Sequence, residues 1–188
     1  DGVTVSGNVL AVSDLAPTGQ TEEDGSGAGV TIARGAVTKS LYAINGVVGA
    51  PAQVAPGDTV TYRITYDMPA SDVEDLHFHD YLPLPVFDVL DPDADGSAGP
   101  GWTYSDTLGI PPPGQVRRTD VTDTFTGPNG LSGITPALAP SAPDNSLLIT
   151  YGTFDDPLNR ASRVDLLFTV SVTTDPFADG LFLTNQVR

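Results

Sequence analysis

The feature that most constrains the fold is the eight-residue segment TVTYRITY at 59–66. Val60, Tyr62, Ile64 and Tyr66 alternate strictly with Thr59, Thr61, Arg63 and Thr65. A period of two puts the first set on one face of a strand and the second on the other. A helix would scatter both sets around its axis, so this segment is a half-buried β-strand. The turn APGD at 55–58 leads into it. The same pattern recurs at 163–173, where Val164, Leu166, Phe168, Val170 and Val172 are in phase. It recurs at 37–43, with Val37, Lys39, Leu41 and Ala43 on the face expected to point inward.

Further strands are expected in 72–85, 101–106, 117–126, 146–151 and 181–187, with 127–145 mostly loop. Pro83 and Pro85 end the ladder of the 72–85 strand. Gly 20 and Pro 17 supply the turns between short elements. About nine strands and no helical pattern define an all-β chain, an immunoglobulin-like two-sheet β-sandwich. Residues 37–188 form that sandwich domain. Residues 1–36 read as an N-terminal extension or inter-domain segment able to form strands, with Val3, Val5 and Val9 alternating and 15–29 loop-like. The chain reads as a piece of a longer protein.

Charge narrows the partners. The net charge of -16 repels a polyanionic backbone, so nucleic acid is not expected as a partner. No apolar run approaches the length of a membrane-spanning helix, so direct membrane insertion is not expected either. Cysteine is absent, which removes thiolate catalysis and thiolate-bound metals. Glycosidase chemistry would need a carboxylate pair that stands out from the general acidity, and none does. The expectation is therefore a protein that is not an enzyme and requires no cofactor.

Three polar residues interrupt apolar faces. Lys39, the only lysine, alternates with Val37, Leu41 and Ala43; Asp80 is in register with Leu76 and Phe78; Asn185 with Leu181, Leu183 and Val187. Each is costly inside a core unless partnered. The residues themselves admit several arrangements. One is a buried Lys–Asp ion pair beside a hydrogen-bonded asparagine, and another places the polar tips at an edge, in water. A third is chemical. Burial favours a neutral, nucleophilic Lys39 amine and a protonated Asp80. Attack on the Asn185 carboxamide, with Asp80 moving the protons, would release ammonia and leave an isopeptide bond.

The segments TKSL, APGDTVTYRITY, LHFHDYLPLP and LTNQV, in that order, resemble the isopeptide-forming immunoglobulin-like domains of Gram-positive pilins and collagen-adhesin-like proteins. They also resemble related repeat domains of very large bacterial surface proteins. The resemblance covers about 37–188. It implies that Lys39 and Asn185 are the cross-linked pair and that Asp80 is the catalytic residue of a single intramolecular turnover. It also implies an extracellular, cell-surface stalk, fibre or pilus role, joined to neighbouring domains or copies, with a cell-surface or matrix ligand. The long 127–145 segment and the 1–36 extension depart from the family pattern. The alternative is a carbohydrate- or protein-binding β-sandwich module without a cross-link. Strand addition by 1–36 to an adjacent copy would be one route to a polymer.

Asp91, Asp93 and Asp95 in DPDADG match the opening of a calcium loop, which makes Ca2+ a possible ligand there. Position twelve of that frame is Trp102 rather than a glutamate. His77 and His79 should point outward as a surface pair, and Trp102 with Tyr104 should pack inside. Asp155, Asp156 and Asp175 sit in ordinary turn contexts.

Overall fold

The computed structural model describes residues 4–6, 29–31, 35–70, 72–97, 101–119, 134–156, 160–175, 177, 180, 183 and 186–188. The chain divides into two compact units, Asp1–Arg34 and Gly35–Arg188. In the first, β1 (Thr4–Ser6) pairs antiparallel with β2 (Gly29–Thr31).

The second unit is a two-sheet sandwich. Its strands are β3 (Ala36–Ile44), β4 (Val47–Val48), β5 (Thr59–Met68), β6 (Val73–Tyr81), β7 (Thr103–Ser105) and β8 (Gln115–Arg118). They continue with β9 (Ala137–Ser141), β10 (Ser146–Phe154), β11 (Ser162–Ser171) and β12 (Gln186–Val187). A six-stranded sheet runs β4-β3-β5-β11-β8-β7 and a four-stranded sheet runs β12-β6-β10-β9. All pairs are antiparallel except β7 with β8. This is an immunoglobulin-like β-sandwich, as the alternation requires.

The core lies between the inner faces. Val60 and Ile64 of β5 meet Val164, Leu166, Phe168 and Val170 of β11, and Phe78 of β6 and Leu147 and Ile149 of β10 complete the cluster. The outer face of the larger sheet is tied by polar cross-strand pairs. Thr61 and Thr169 hydroxyls lie 2.8 Å apart. Arg63 donates to both oxygens of the fully buried Asp165, at 2.8 and 2.5 Å. Such bidentate pairing satisfies a carboxylate that burial would otherwise penalise.

Two expectations need correction, and one strand is additional. Val37 and Leu41 are 39% and 38% exposed rather than inside. On their outer side β4 reaches only Ala43 and Ile44, so the first half of β3 is an edge. Tyr42 is bulged out of the ladder with β5, after which Ala43 and Ile44 are both buried. The segment 127–145 also carries a strand where none was expected: of its twelve described residues, 134–145, β9 takes five and pairs with β10 along all of them. It tolerates Pro140 because it is an edge strand. Finally, β8 begins at Gln115, ahead of the expected 117–126 strand, of which 120–126 lie outside the described residues.

Asn45 and Gly46 make the turn between β3 and β4, with φ of 50° and 75°. This is the left-handed geometry that two-residue hairpins need. The Asn45 side chain donates to Asp58 Oδ1 at 2.8 Å and accepts from the Thr59 N–H at 2.9 Å. The hydrogen bond from Asn45, and one from the Ala55 N–H, hold the Asp58 carboxyl below its ordinary value.

Candidate functional site: a buried lysine–aspartate pair between the sheets

Alternation turns Lys39 inward from β3 in the larger sheet and Asp80 inward from β6 in the smaller one. Their side chains are 6% and 0% exposed, and Lys39 Nζ donates directly to Asp80 Oδ2. The contact therefore bridges the two layers of the sandwich. Lys39 Nζ also lies 4.5 Å from the ring centroid of Tyr62 and 5.0 Å from that of Phe168. Those rings are 5.5 Å apart and belong to neighbouring strands β5 and β11. An ammonium over aromatic faces is attracted by them, yet the same rings keep water out.

Burial dominates the electrostatics of both groups. It lowers the Lys39 pKa from 10.5 to about 8, against the pull of Asp80 in the other direction. It pushes Asp80 upward, against the opposing charges of Lys39 and His79 and the Lys39 hydrogen bond. Both partners are thus biased toward their neutral forms, amine and carboxylic acid. Asp80 Oδ1 is buried and has no hydrogen-bond partner among the described residues. A buried carboxyl with one free oxygen calls for a further polar partner.

Asn185 lies outside the described residues. On either side of it, Leu183 and Val187 pack against the core. Gln186, its chain neighbour, is registered opposite Tyr81, and Val187 opposite Asp80.

The acidic loop is a separate cluster. One carboxylate oxygen from each of Asp91, Asp93 and Asp95 lies within 4.8 Å of the others, close enough for a divalent ion such as Ca2+ to bridge in principle. Among the described residues this is the only such group of acidic, histidine or cysteine side chains. Its oxygens already have work. Asp91 accepts the N–H groups of Asp95 and Gly96 at 3.3 and 2.9 Å, and Asp95 accepts the Ser97 N–H and hydroxyl at 2.8 and 2.6 Å. Partial desolvation, the hydrogen bond to Asp91 and the nearby charges of Asp95 and Asp91 raise the pKa of Asp93. Trp102, where a calcium frame needs its last carboxylate, is buried and donates its indole N–H to the Val89 carbonyl at 2.8 Å. The three carboxylates supply only part of the oxygen shell that calcium takes.

His77 and His79 share the outer face of β6. His77 contacts the Asp75 carbonyl at 2.8 Å, while His79 meets Ser146 Oγ at 2.7 Å. Asn145 carried no signal in the apolar alternation. It is 4% exposed, has φ of 48°, donates from Nδ2 to the carbonyls of Leu82 and Phe87, and accepts the Val89 N–H. It pins the segment that carries Val86, Phe87 and Val89 into the core. Only its position in the turn sequence PDN, where asparagine tolerates a left-handed backbone, could have hinted at this.

Comparison with protein-family models, curated proteins and solved structures gives no match for this chain.

Proposed function

We propose that this chain is a structural or adhesive module of an extracellular bacterial surface protein or fibre, its sandwich closed by one autocatalytic Lys39–Asn185 isopeptide bond. The buried, inter-sheet Lys39–Asp80 pair carries this reading. The free Asp80 Oδ1, and the core-facing Leu183 and Val187 two positions to either side of 185, support it.

The chemistry follows from neutral partners. Transfer of the Lys39 proton to Asp80 gives an amine and a carboxylic acid, the forms that burial favours. The acid hydrogen-bonds the Asn185 Oδ1 and polarises its carbonyl. Nζ attacks Cγ, a new C–N bond forms, and Asp80 carries a proton from Nζ to the departing Nδ2. The Cγ–Nδ2 bond breaks, ammonia leaves, and Asp80 is regenerated. The enclosing rings hold the pair in place and exclude water, which an unassisted amine and amide would need to overcome. The reaction occurs once, so the module is not an enzyme acting on a substrate.

A bond between the first long strand and the terminal segment routes a pulling force through covalent chemistry. The hydrogen-bond ladders that hold β3 in the larger sheet and β12 in the smaller are then bypassed, which suits a stalk. The test is intact mass: the wild type should be lighter than its sequence by about 17 Da, one ammonia. Asp80→Ala should carry the full mass expected for its sequence, and a wild type at full mass would overturn the reading.

A further inference from the structure

The register of β12 on β6 rests on few apolar contacts. Of its two residues Gln186 is exposed and Val187 only partly buried. One half-buried side chain specifies register weakly by apolar alternation, and a one-residue slip would exchange the two faces.

A set of contacts on the outer face supplies the missing specification. The Arg188 N–H donates to the His79 carbonyl at 3.0 Å and the His79 N–H to the Arg188 carbonyl at 2.9 Å. The guanidinium carbon of Arg188 lies 5.2 Å from the Tyr81 ring centroid. The Tyr81 and His79 ring centroids are 4.3 Å apart, with the ring planes tilted by 32°. With the imidazole proton on Nε2, Tyr81 donates its hydroxyl to Nδ1 at 3.0 Å and His79 donates to Ser146 Oγ at 2.7 Å. Ser146 in turn donates to Asp144 Oδ1 at 2.7 Å. The platform under Arg188 is therefore anchored in β10. His79 and Tyr81 also flank Asp80 along β6, so the residues that hold Arg188 are the backbone neighbours of the buried carboxyl.

We infer that Arg188 is a positioning residue: clamped on the Tyr81–His79 platform, it sets the register of β12 on β6 and so decides which residue of the terminal segment confronts Lys39 and Asp80. This rests on the cross-linking reading above. In the observed register Val187 stands opposite Asp80. A slip would bring Gln186 or Arg188 there and exchange the faces that β12 presents.

Arg188 is exposed, so truncation leaves the core intact. Newly translated chains of the wild type, Arg188→Ala and Arg188→Lys can be followed by timed intact mass, with hydrogen exchange of the His79 amide measured in parallel. We expect Arg188→Ala to lose ammonia at least about tenfold more slowly and to lose His79 protection by a similar factor. Arg188→Lys, which keeps the cation, should recover part of both. Unchanged His79 protection in Arg188→Ala overturns the inference, and so does a wild-type rate of mass loss despite lost protection. A wild type at full mass defeats the cross-link instead, and His79 protection in Arg188→Ala alone then decides the register role.

Discussion

Replacing Asn185 with alanine would remove the electrophile of the proposed cross-link and leave the Lys39–Asp80 pair in place. A link between residues 39 and 185 closes a loop of 146 positions. In the chain-entropy treatment of cross-links, a closure of that size stabilises by about 5 kcal/mol. Unfolding entropy of about 2.1 cal/mol/K per residue, applied to the unit Gly35–Arg188, gives about 0.3 kcal/mol/K. The variant should therefore melt about 15 °C below the wild type by calorimetry. Its pH profile should change as well. Lys39 has a folded pKa of about 8 and an ordinary value of 10.5. Below pH 8 both states hold the proton and the cost of burying the charge is fully present. Between those values the unfolded chain holds a proton that the folded chain has released, so stability rises with pH, by about 3 kcal/mol across the window. Asp80 acts at the acid end. Its folded pKa lies above 3.8, so the folded state retains a proton that the unfolded chain gives up, and stability falls as pH rises from 3.8. A cross-linked wild type would have an amide at Lys39 and would lack the alkaline gain. A variant that melts within about 2 °C of the wild type, with the same alkaline profile, would refute the reasoning.

Asn145→Ala deletes three buried hydrogen bonds to the 82–89 segment and should cost about 3 kcal/mol, read as a drop of about 10 °C in melting temperature. Chelation of divalent ions should leave the melting temperature unchanged, because backbone N–H groups already close the Asp91–Asp95 loop; a fall of several degrees on adding a chelator would show that calcium is part of the fold.

The strands with strict alternation were legible in the sequence because both of their faces are filled. β5 and β11 pair along their full lengths in the centre of the larger sheet. Inward Lys39 and Asp80 were legible for the same reason, as polar interruptions of apolar rows, although their meeting depended on β3 and β6 lying in opposite sheets. The edges were not. ALAPS in β9 has no apolar alternation, and it is a strand because β10 offers it a backbone partner. Val37 and Leu41 alternate correctly, yet their exposure is set by how far β4 extends beside them. The platform of Tyr81, His79, Ser146 and Asp144 needs the β6–β10 register, in which Ser146 stands opposite Tyr81. No single segment contains that information.

A tryptic peptide map with masses looks for the Lys39–Asn185 bond itself. Cleavage after arginine isolates Lys39 in the peptide 35–63 and Asn185 in the peptide 164–188. With the cross-link formed, these two are expected joined, uncut at Lys39, at their summed mass less one ammonia, about 17 Da. Mapping is needed because Asn45–Gly46 can lose ammonia on its own by succinimide formation. That would lighten the peptide 35–63 without joining it to anything. Separate peptides, cut at Lys39 and with Asn185 intact, would show that no bond forms.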